Sequence, residues 1–262
     1  MTVMQRARGS AAVRLGRAGL VDLHQSGSAR AMLPRTDDPD PEVVFLNTAG
    51  GVTGGDRLRY DLALGAGARA TAATQTAERA YRSNGGTGVI ETRLTVGAGA
   101  HLDWLPQETI LFDGSDTRRE TTATLGEGAS ILMVDAVILG RGAMGETVRD
   151  ARLDDIRGIE VDGRPLHQEH LALTPDALTD PNALGGATAM ATLVAAGRGA
   201  PDVLTPLRRV LPSFAAASAW DGRLVARLLH DDPAELRRAL VRAIVVLRGR
   251  PVPRVWQAEV VS

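Results

Sequence analysis

For chemistry this chain offers five histidines, no cysteine and a few carboxylates set among apolar residues. His24, His101, His167, His170 and His230 include one pair with metal-like spacing, His167-Gln-Glu-His170. The segment around that pair, Arg164 to Leu173, reads as extended chain, where residues three apart project to opposite faces. A shared metal would need a bulge or a turn there, so solvated strand histidines are the expected state. The lack of cysteine excludes a thiolate zinc site, a thiol nucleophile and a disulfide framework. No Ser/His/Asp order with a nucleophile elbow is present.

Two glycine motifs invite a nucleotide. Gly50-Gly-Val-Thr-Gly-Gly-Asp56 has the glycine separation of a phosphate loop, but Asp56-Arg57 stands where Lys-Ser/Thr is required. A carboxylate at that point repels phosphate, which leaves a tight turn closed by its own aspartate. Gly140-Arg-Gly-Ala-Met-Gly145 matches G-x-G-x-x-G and follows an apolar strand, with Glu160 further on. It supports an alternative reading as a dinucleotide-binding oxidoreductase. That motif counts only between a strand and a helix. The segment from Glu146 to Arg157 offers only Val148, Leu153 and Ile156 as a helical face.

Carboxylates at costly positions are the remaining anomaly. Asp135 interrupts the apolar run Ser130 to Leu139 and must find a partner if buried. Arg141 and Glu146 follow closely; a structural ion pair and a functional role both account for this pattern. Ala77-Glu-Arg-Ala-Tyr-Arg82 places Glu78, Arg79 and Tyr81 after an alternating Thr/Ala strand, a pattern typical of a solvated strand end.

The elements that position these residues are marked by a repeat. Leu64-Gly-Ala-Gly-Ala68, Val96-Gly-Ala-Gly-Ala100 and Leu125-Gly-Glu-Gly-Ala129 recur with their first glycines at 65, 97 and 126. Such a period marks stacked units that bury their apolar faces on one another. Paired glycines supply positive φ, so each phrase is expected to turn a β-hairpin. Strands are also expected within residues 11–23, at Val43 to Leu46 and at Arg57 to Leu62, where apolar and polar residues alternate or run together. Asp221-Gly222 between two extended segments is a hairpin signal. Late in the chain, Asp202 is placed to cap a helix over 203–211, with Pro206 tolerated in its first turn. Asp232-Pro-Ala-Glu235 has capping-box spacing before the stripe Leu236, Leu240, Ile244 and Leu247, and Arg248, Gly249 and Pro251 end that helix. The predicted fold is mainly β, a superhelical stack of sheets built from repeated hairpins with two helices in the C-terminal third.

Composition sets the outer limits. Hydrophobic residues make up 44% of 262 positions, enough for a core, but aromatics only 3%, so Val, Leu, Ile and Ala must carry it. A net charge of −1 argues against an electrostatic nucleic-acid binder. All 30 basic residues are Arg, which favours fixed, bidentate ion pairs. No apolar run spans a bilayer and the N-terminus lacks a secretory h-region, so a cytoplasmic protein with no membrane partner is expected.

Four segments, in order, resemble the urease accessory protein family UreD, also called UreH. They are Phe45-Leu-Asn-Thr-Ala-Gly-Gly-Val-Thr-Gly-Gly-Asp56, Ala73-Thr-Gln-Thr-Ala-Glu-Arg-Ala-Tyr-Arg-Ser83, Trp104-Leu-Pro-Gln-Glu-Thr-Ile-Leu-Phe-Asp-Gly114 and Leu139-Gly-Arg-Gly-Ala-Met-Gly-Glu146. Pro253-Arg-Val-Trp256 fits as well, whereas Arg79 and Asp135 stand where members often carry Lys and Glu. The resemblance implies one domain over 1–262, with a β-stack to about 173 and a helix-containing part from about 174. It also implies a non-enzymatic scaffold of urease maturation that binds apo-urease, UreF and, through UreF, the GTPase UreG. Nickel would be cargo in transit, with no tightly bound cofactor. A cation crossing a protein interior needs oxygen ligands that release it, which singles out Asp56, Glu78, Asp135 and Glu146 as candidate nickel-passage carboxylates. The two C-terminal helices are the expected UreF-facing surface.

Overall fold

The two-residue alternation of apolar side chains carries through most of the chain as strand. The computed structural model describes residues 6–36, 38–197 and 199–257. It opens with β1 (Arg8–Gly16), β2 (Gly19–Gly27), β3 (Ala29–Met32) and β4 (Glu42–Asn47). Successive coils follow: β5 (Arg57–Leu64), β6 (Arg69–Thr74) and β7 (Glu78–Ala80), then β8 (Gly88–Val96), β9 (His101–Leu105) and β10 (Thr109–Leu111), then β11 (Asp116–Leu125) and β12 (Ser130–Leu139). Next come β13 (Arg152–Val161), β14 (Arg164–Leu173), the short helices α1 (Pro175–Thr179) and α2 (Pro181–Leu184), and β15 (Ala189–Ala196). The chain closes with α3 (Leu204–Val210), β16 (Ala215–Trp220), β17 (Arg223–His230), α4 (Pro233–Arg248) and α5 (Arg254–Gln257).

Two sheets face each other. One has seven strands in the order β14-β13-β11-β8-β5-β1-β2; the other has ten, on the path β16-β17-β15-β12-β9-β6-β4-β3 with β10 beside β12 and β7 beside β10. Their centres are parallel, coil on coil, and antiparallel strands close both ends. The stacked, mainly β architecture is therefore the one the repeat implies.

The Gly-x-Gly phrases do a different job from the one expected. They are not hairpin turns, because β5 and β6, β8 and β9, and β11 and β12 lie in different sheets. Each phrase is a corner between sheets, and its partners are the corners of neighbouring coils. The Gly97 N–H donates to the Leu64 carbonyl at 2.9 Å and the Gly126 N–H to that of Val96 at 2.8 Å. A Cβ at Gly97 would lie 2.8 Å from Ala66 N and Leu64 O, so the first glycine serves close approach between coils. The second glycine supplies backbone shape, with φ of 66°, 63° and 65° at Gly67, Gly99 and Gly128.

The larger core lies between the sheets, where Phe45 packs on Tyr60 and Trp104 at centroid distances of 5.1 and 6.0 Å. A second core forms where α4 buries Leu236, Ala239, Leu240, Ala243 and Ile244 on the outer face of the ten-stranded sheet. Asp232 Oδ1 caps α4 by accepting from the Ala234 N–H at 2.8 Å, and Gly249 ends it at φ 64°. The capping box is not completed: Glu235 pairs with Arg238, and the Asp232 N–H donates to His230 Nδ1. Asp202 likewise caps nothing, for it lies in a 3-10 turn, Ala200–Val203, and α3 starts after it with no side-chain cap. Asp221 and Gly222 turn the β16–β17 hairpin at φ 45° and 74°, as their sequence predicts.

Candidate functional site

Register brings the chemistry inward. In the parallel run β7-β10-β12, Glu78 stands beside Thr109 and Thr109 beside Val137. Asp135 lies two residues before Val137 and so shares its face. Glu78 and Asp135 thereby line one cavity of about 60 Å³ between the sheets, with Tyr60, Trp104, Arg119 and Arg157 on its other walls. That space accommodates a few waters or a small hydrated ion.

Asp135 is held by guanidiniums from the opposite sheet. Its Oδ2 accepts from Arg119 Nη2 at 2.9 Å and lies 3.3 Å from Arg157 Nη1. Among the described residues no hydrogen bond reaches Oδ1. Arg119 also donates to Asp155 Oδ2 at 2.8 Å and to Thr109 Oγ1 at 2.7 Å. Burial opposes ionisation of Asp135, yet the two guanidiniums outweigh it and keep its carboxyl below the usual range. Asp155 goes the other way: burial, together with the Asp135 charge, raises it. Arg157 Nε lies 3.2 Å from Asp155 Oδ2, and among the described residues no hydrogen bond reaches the buried Nε of Arg119.

Glu78 is not a solvated strand end. Burial pushes its carboxyl up to about 7, against the pull of a hydrogen bond from Asn47 Nδ2 at 3.2 Å, of the Arg79 backbone and of the Arg79 charge. The same Asn47 amide donates to the Gly51 carbonyl at 3.0 Å, so the Gly50–Asp56 loop orients the group that holds Glu78. That loop is pinned to β7 by Val52 N–H to Arg79 O and Tyr81 N–H to Val52 O, both 2.8 Å. Gly51 has no room for a side chain, since a Cβ would lie 2.3 Å from the Tyr81 ring and 2.6 Å from the Arg79 carbonyl oxygen.

Asp56 and Glu146 lie outside the cavity. Both Asp56 oxygens are committed to backbone, accepting from the Ala7 N–H at 2.8 Å and the Thr53 N–H at 2.9 Å. Glu146 accepts from Arg141 Nε at 2.8 Å, from the Arg141 N–H at 3.0 Å and from the Asp113 N–H at 3.2 Å. The Arg141 hydrogen bond lowers its pKa. Glu146 thus closes the Gly140–Gly145 loop, a single 3-10 turn from which the chain runs to β13 with no helix between. The oxidoreductase alternative fails here, because no helix N-terminus is present to receive a pyrophosphate.

His170 is exposed and pairs with Asp154 on β13. His167 is buried, which corrects the expectation that both are solvated, and its Nε2 lies 3.8 Å from Glu169, beyond hydrogen-bond reach. Among the described residues no three His, Asp or Glu side chains are grouped to hold a metal. No helix among them is long and apolar enough to cross a membrane. Sequence reasoning missed Asn47, Arg119, Asp155 and Arg157. The last two were detectable, for they fall in the inward phase Leu153, Asp155, Arg157, Ile159 of β13.

Coil on coil, with carboxylates and guanidiniums turned into a small inter-sheet cavity, these features define a stacked β scaffold with a charged interior. Comparison with known proteins makes this specific. The model of the family described as UreD urease accessory protein matches residues 5–257, and the chain belongs to that family. The urease accessory protein UreD of Paracoccus denitrificans is 52% identical over 260 residues, spanning 97% of this chain and 93% of that protein. That of Cereibacter sphaeroides strain ATCC 17025 is 52% identical over 264 residues, spanning 97% and 96%. That of Rhizobium leguminosarum bv. trifolii is 46% identical over 261 residues, spanning 96% of each.

Proposed function

We propose that this chain is a non-enzymatic scaffold of urease maturation that passes nickel through its inter-sheet cavity to the urease active site. It engages apo-urease and UreF, and through UreF the GTPase UreG, in the cytoplasm. The observation that carries this reading is the convergence of Glu78 and Asp135 on one cavity. Among the described residues Glu78 has one hydrogen bond from another side chain and one from the Arg79 backbone, and Asp135 has an oxygen that no hydrogen bond reaches, so each can offer a cation one weak contact. Oxygen ligands without thiolate suit a borderline cation that must be released. In this reading Asp56 and Glu146 act indirectly, by fixing the loops beside the passage. The outer surface of α3 and α4 is the proposed UreF contact.

The test is the nickel content of urease matured in cells that carry the urease genes with this chain, without it, or with Glu78→Gln or Asp135→Asn. Nickel-poor urease is expected without the chain and with either variant, while the variants still co-purify with urease. Normal nickel loading in the absence of the chain rejects the scaffold role. Normal loading with both variants rejects the passage.

A further inference from the structure

The seven-stranded sheet ends in an open edge. Among the described residues β2 pairs only with β1, and every residue of it after Gly19 is exposed. Among them Leu20, Val21 and Leu23 are 51%, 54% and 36% exposed. On the inner face of β2 only the four-residue β3 stands opposite, meeting it where Gln25 Oε1 accepts from the Ala31 N–H at 3.0 Å, and Leu23 is left exposed. A long edge strand with apolar side chains and unpaired backbone groups is a template for another strand.

The sequence of β2 says which strand fits. Read about Leu23, Gly19-Leu-Val-Asp-Leu-His-Gln-Ser-Gly27 complements itself. In an antiparallel pair of two copies the complementarity lies at the centre, where Leu23 meets Leu23 and Asp22 meets His24 on both sides of the axis, while Val21 and Leu20 fall opposite Gln25 and Ser26. An imidazole N–H directly opposite a carboxylate can donate to it, and like apolar residues directly opposed pack on each other, both pairs of the kind that stabilise antiparallel strands. The one irregularity in the β1–β2 register falls at Val21, so the stretch that is regular in both copies is the central Asp22 to His24. A closed two-fold contact of this kind uses the same patch on both subunits. We propose that β2 is the interface between two copies of this chain, joined edge to edge about a two-fold axis at Leu23 so that their seven-stranded sheets become continuous. The inference is independent of the nickel reading.

The chain's lack of cysteine makes the test direct. Directly opposed antiparallel residues have Cα atoms about 4.5–5.5 Å apart, within the range a disulfide spans. The full-length Leu23→Cys variant is expressed, its lysate treated with a mild thiol oxidant, and the product resolved on a non-reducing gel and by mass spectrometry. Most of the chain is expected as a disulfide-linked homodimer, whereas Trp220→Cys, on the exposed tip of the β16–β17 hairpin, stays monomeric. Adding His24→Asp to Leu23→Cys sets carboxylate against carboxylate and is expected to cut the yield at least fivefold. The exchange Asp22→His with His24→Asp restores it. Cross-linking no greater than that of Trp220→Cys, or indifferent to His24→Asp, overturns the proposal. A disulfide to a different protein overturns it as well and assigns the edge to that partner's strand.

Discussion

Replacing Glu78 by Gln should make this protein more stable at neutral pH while impairing its work. The carboxyl is buried beside the cavity, and its pKa rises from 4.5 to about 7 on folding. A carboxyl raised on folding binds its proton more tightly in the native state. Its contribution is therefore neutral to favourable below pH 4.5 and becomes a penalty that builds as pH climbs from 4.5 to 7 and is complete above 7. The penalty above pH 7 is about 3 kcal/mol, at roughly 1.4 kcal/mol per unit of raised pKa. Gln keeps the shape and can still accept the Asn47 hydrogen bond, but it never ionises. The assay is thermal denaturation of both proteins from pH 4.5 to 8.5. At pH 4.5 the curves should coincide; at pH 8 the variant should melt about 6–10 °C higher, given the shift expected per kcal/mol for a chain of this size. A variant that is less stable than the parent at pH 8, or a difference that does not change with pH, refutes the reasoning.

Two further predictions concern the scaffold. Arg119→Met removes a guanidinium that touches both Asp135 and Asp155 and leaves two buried carboxylates with Arg157 as their remaining guanidinium partner. The expected loss is about 3–5 kcal/mol, read as a lower urea midpoint. At the corners, Gly97→Ala drives a Cβ into backbone atoms 2.8 Å away and should cost about 2 kcal/mol or more. Gly99→Ala meets nothing within 4 Å and should cost about 1–2 kcal/mol for its φ of 63° alone. Asn at 99 should recover part of that loss, whereas Asn at 97 should recover none; equal behaviour at the two sites contradicts the division of labour within the phrase.

What the sequence made legible was local. The three Gly-x-Gly phrases announced stacking, Asp232-Pro233 and Gly249 bounded α4, and Asp221-Gly222 made its hairpin, because each signal acts within a few residues of itself. Whether a glycine pair closes a hairpin or turns a corner depends on which strand comes to lie alongside, and that partner is a coil away. Asp135 stood out as a carboxylate in an apolar run, but its partners Arg119 and Arg157 come from β11 and β13 across the core. Glu78 gave less warning. Nothing near it in sequence is apolar enough to announce burial, which comes from β10 in parallel register and from the loop that fixes Asn47. The Asp202 cap failed for a local reason: its N–H is already turned to the Gly199 carbonyl, which tightens the chain into 3-10 geometry before α3 begins.

The same electrostatics bear on how such a cavity handles a cation. A deep trap would gather several carboxylates with nothing to offset them, and hold the ion too tightly to release it. Here Asp135 shares its Oδ2 with two guanidiniums, at 2.9 and 3.3 Å, which cancel most of its field on a passing ion. Glu78 is balanced differently, by a proton it loses near pH 7. On the proposed passage, a cation arriving beside it would displace that proton and gain a charged ligand, and on leaving would let the proton return, so little net charge would be stranded in the interior. One carboxylate is tempered by fixed arginines and the other by a mobile proton. On the proposed reading they would give two shallow sites in place of one deep one, which is what passage demands and storage does not.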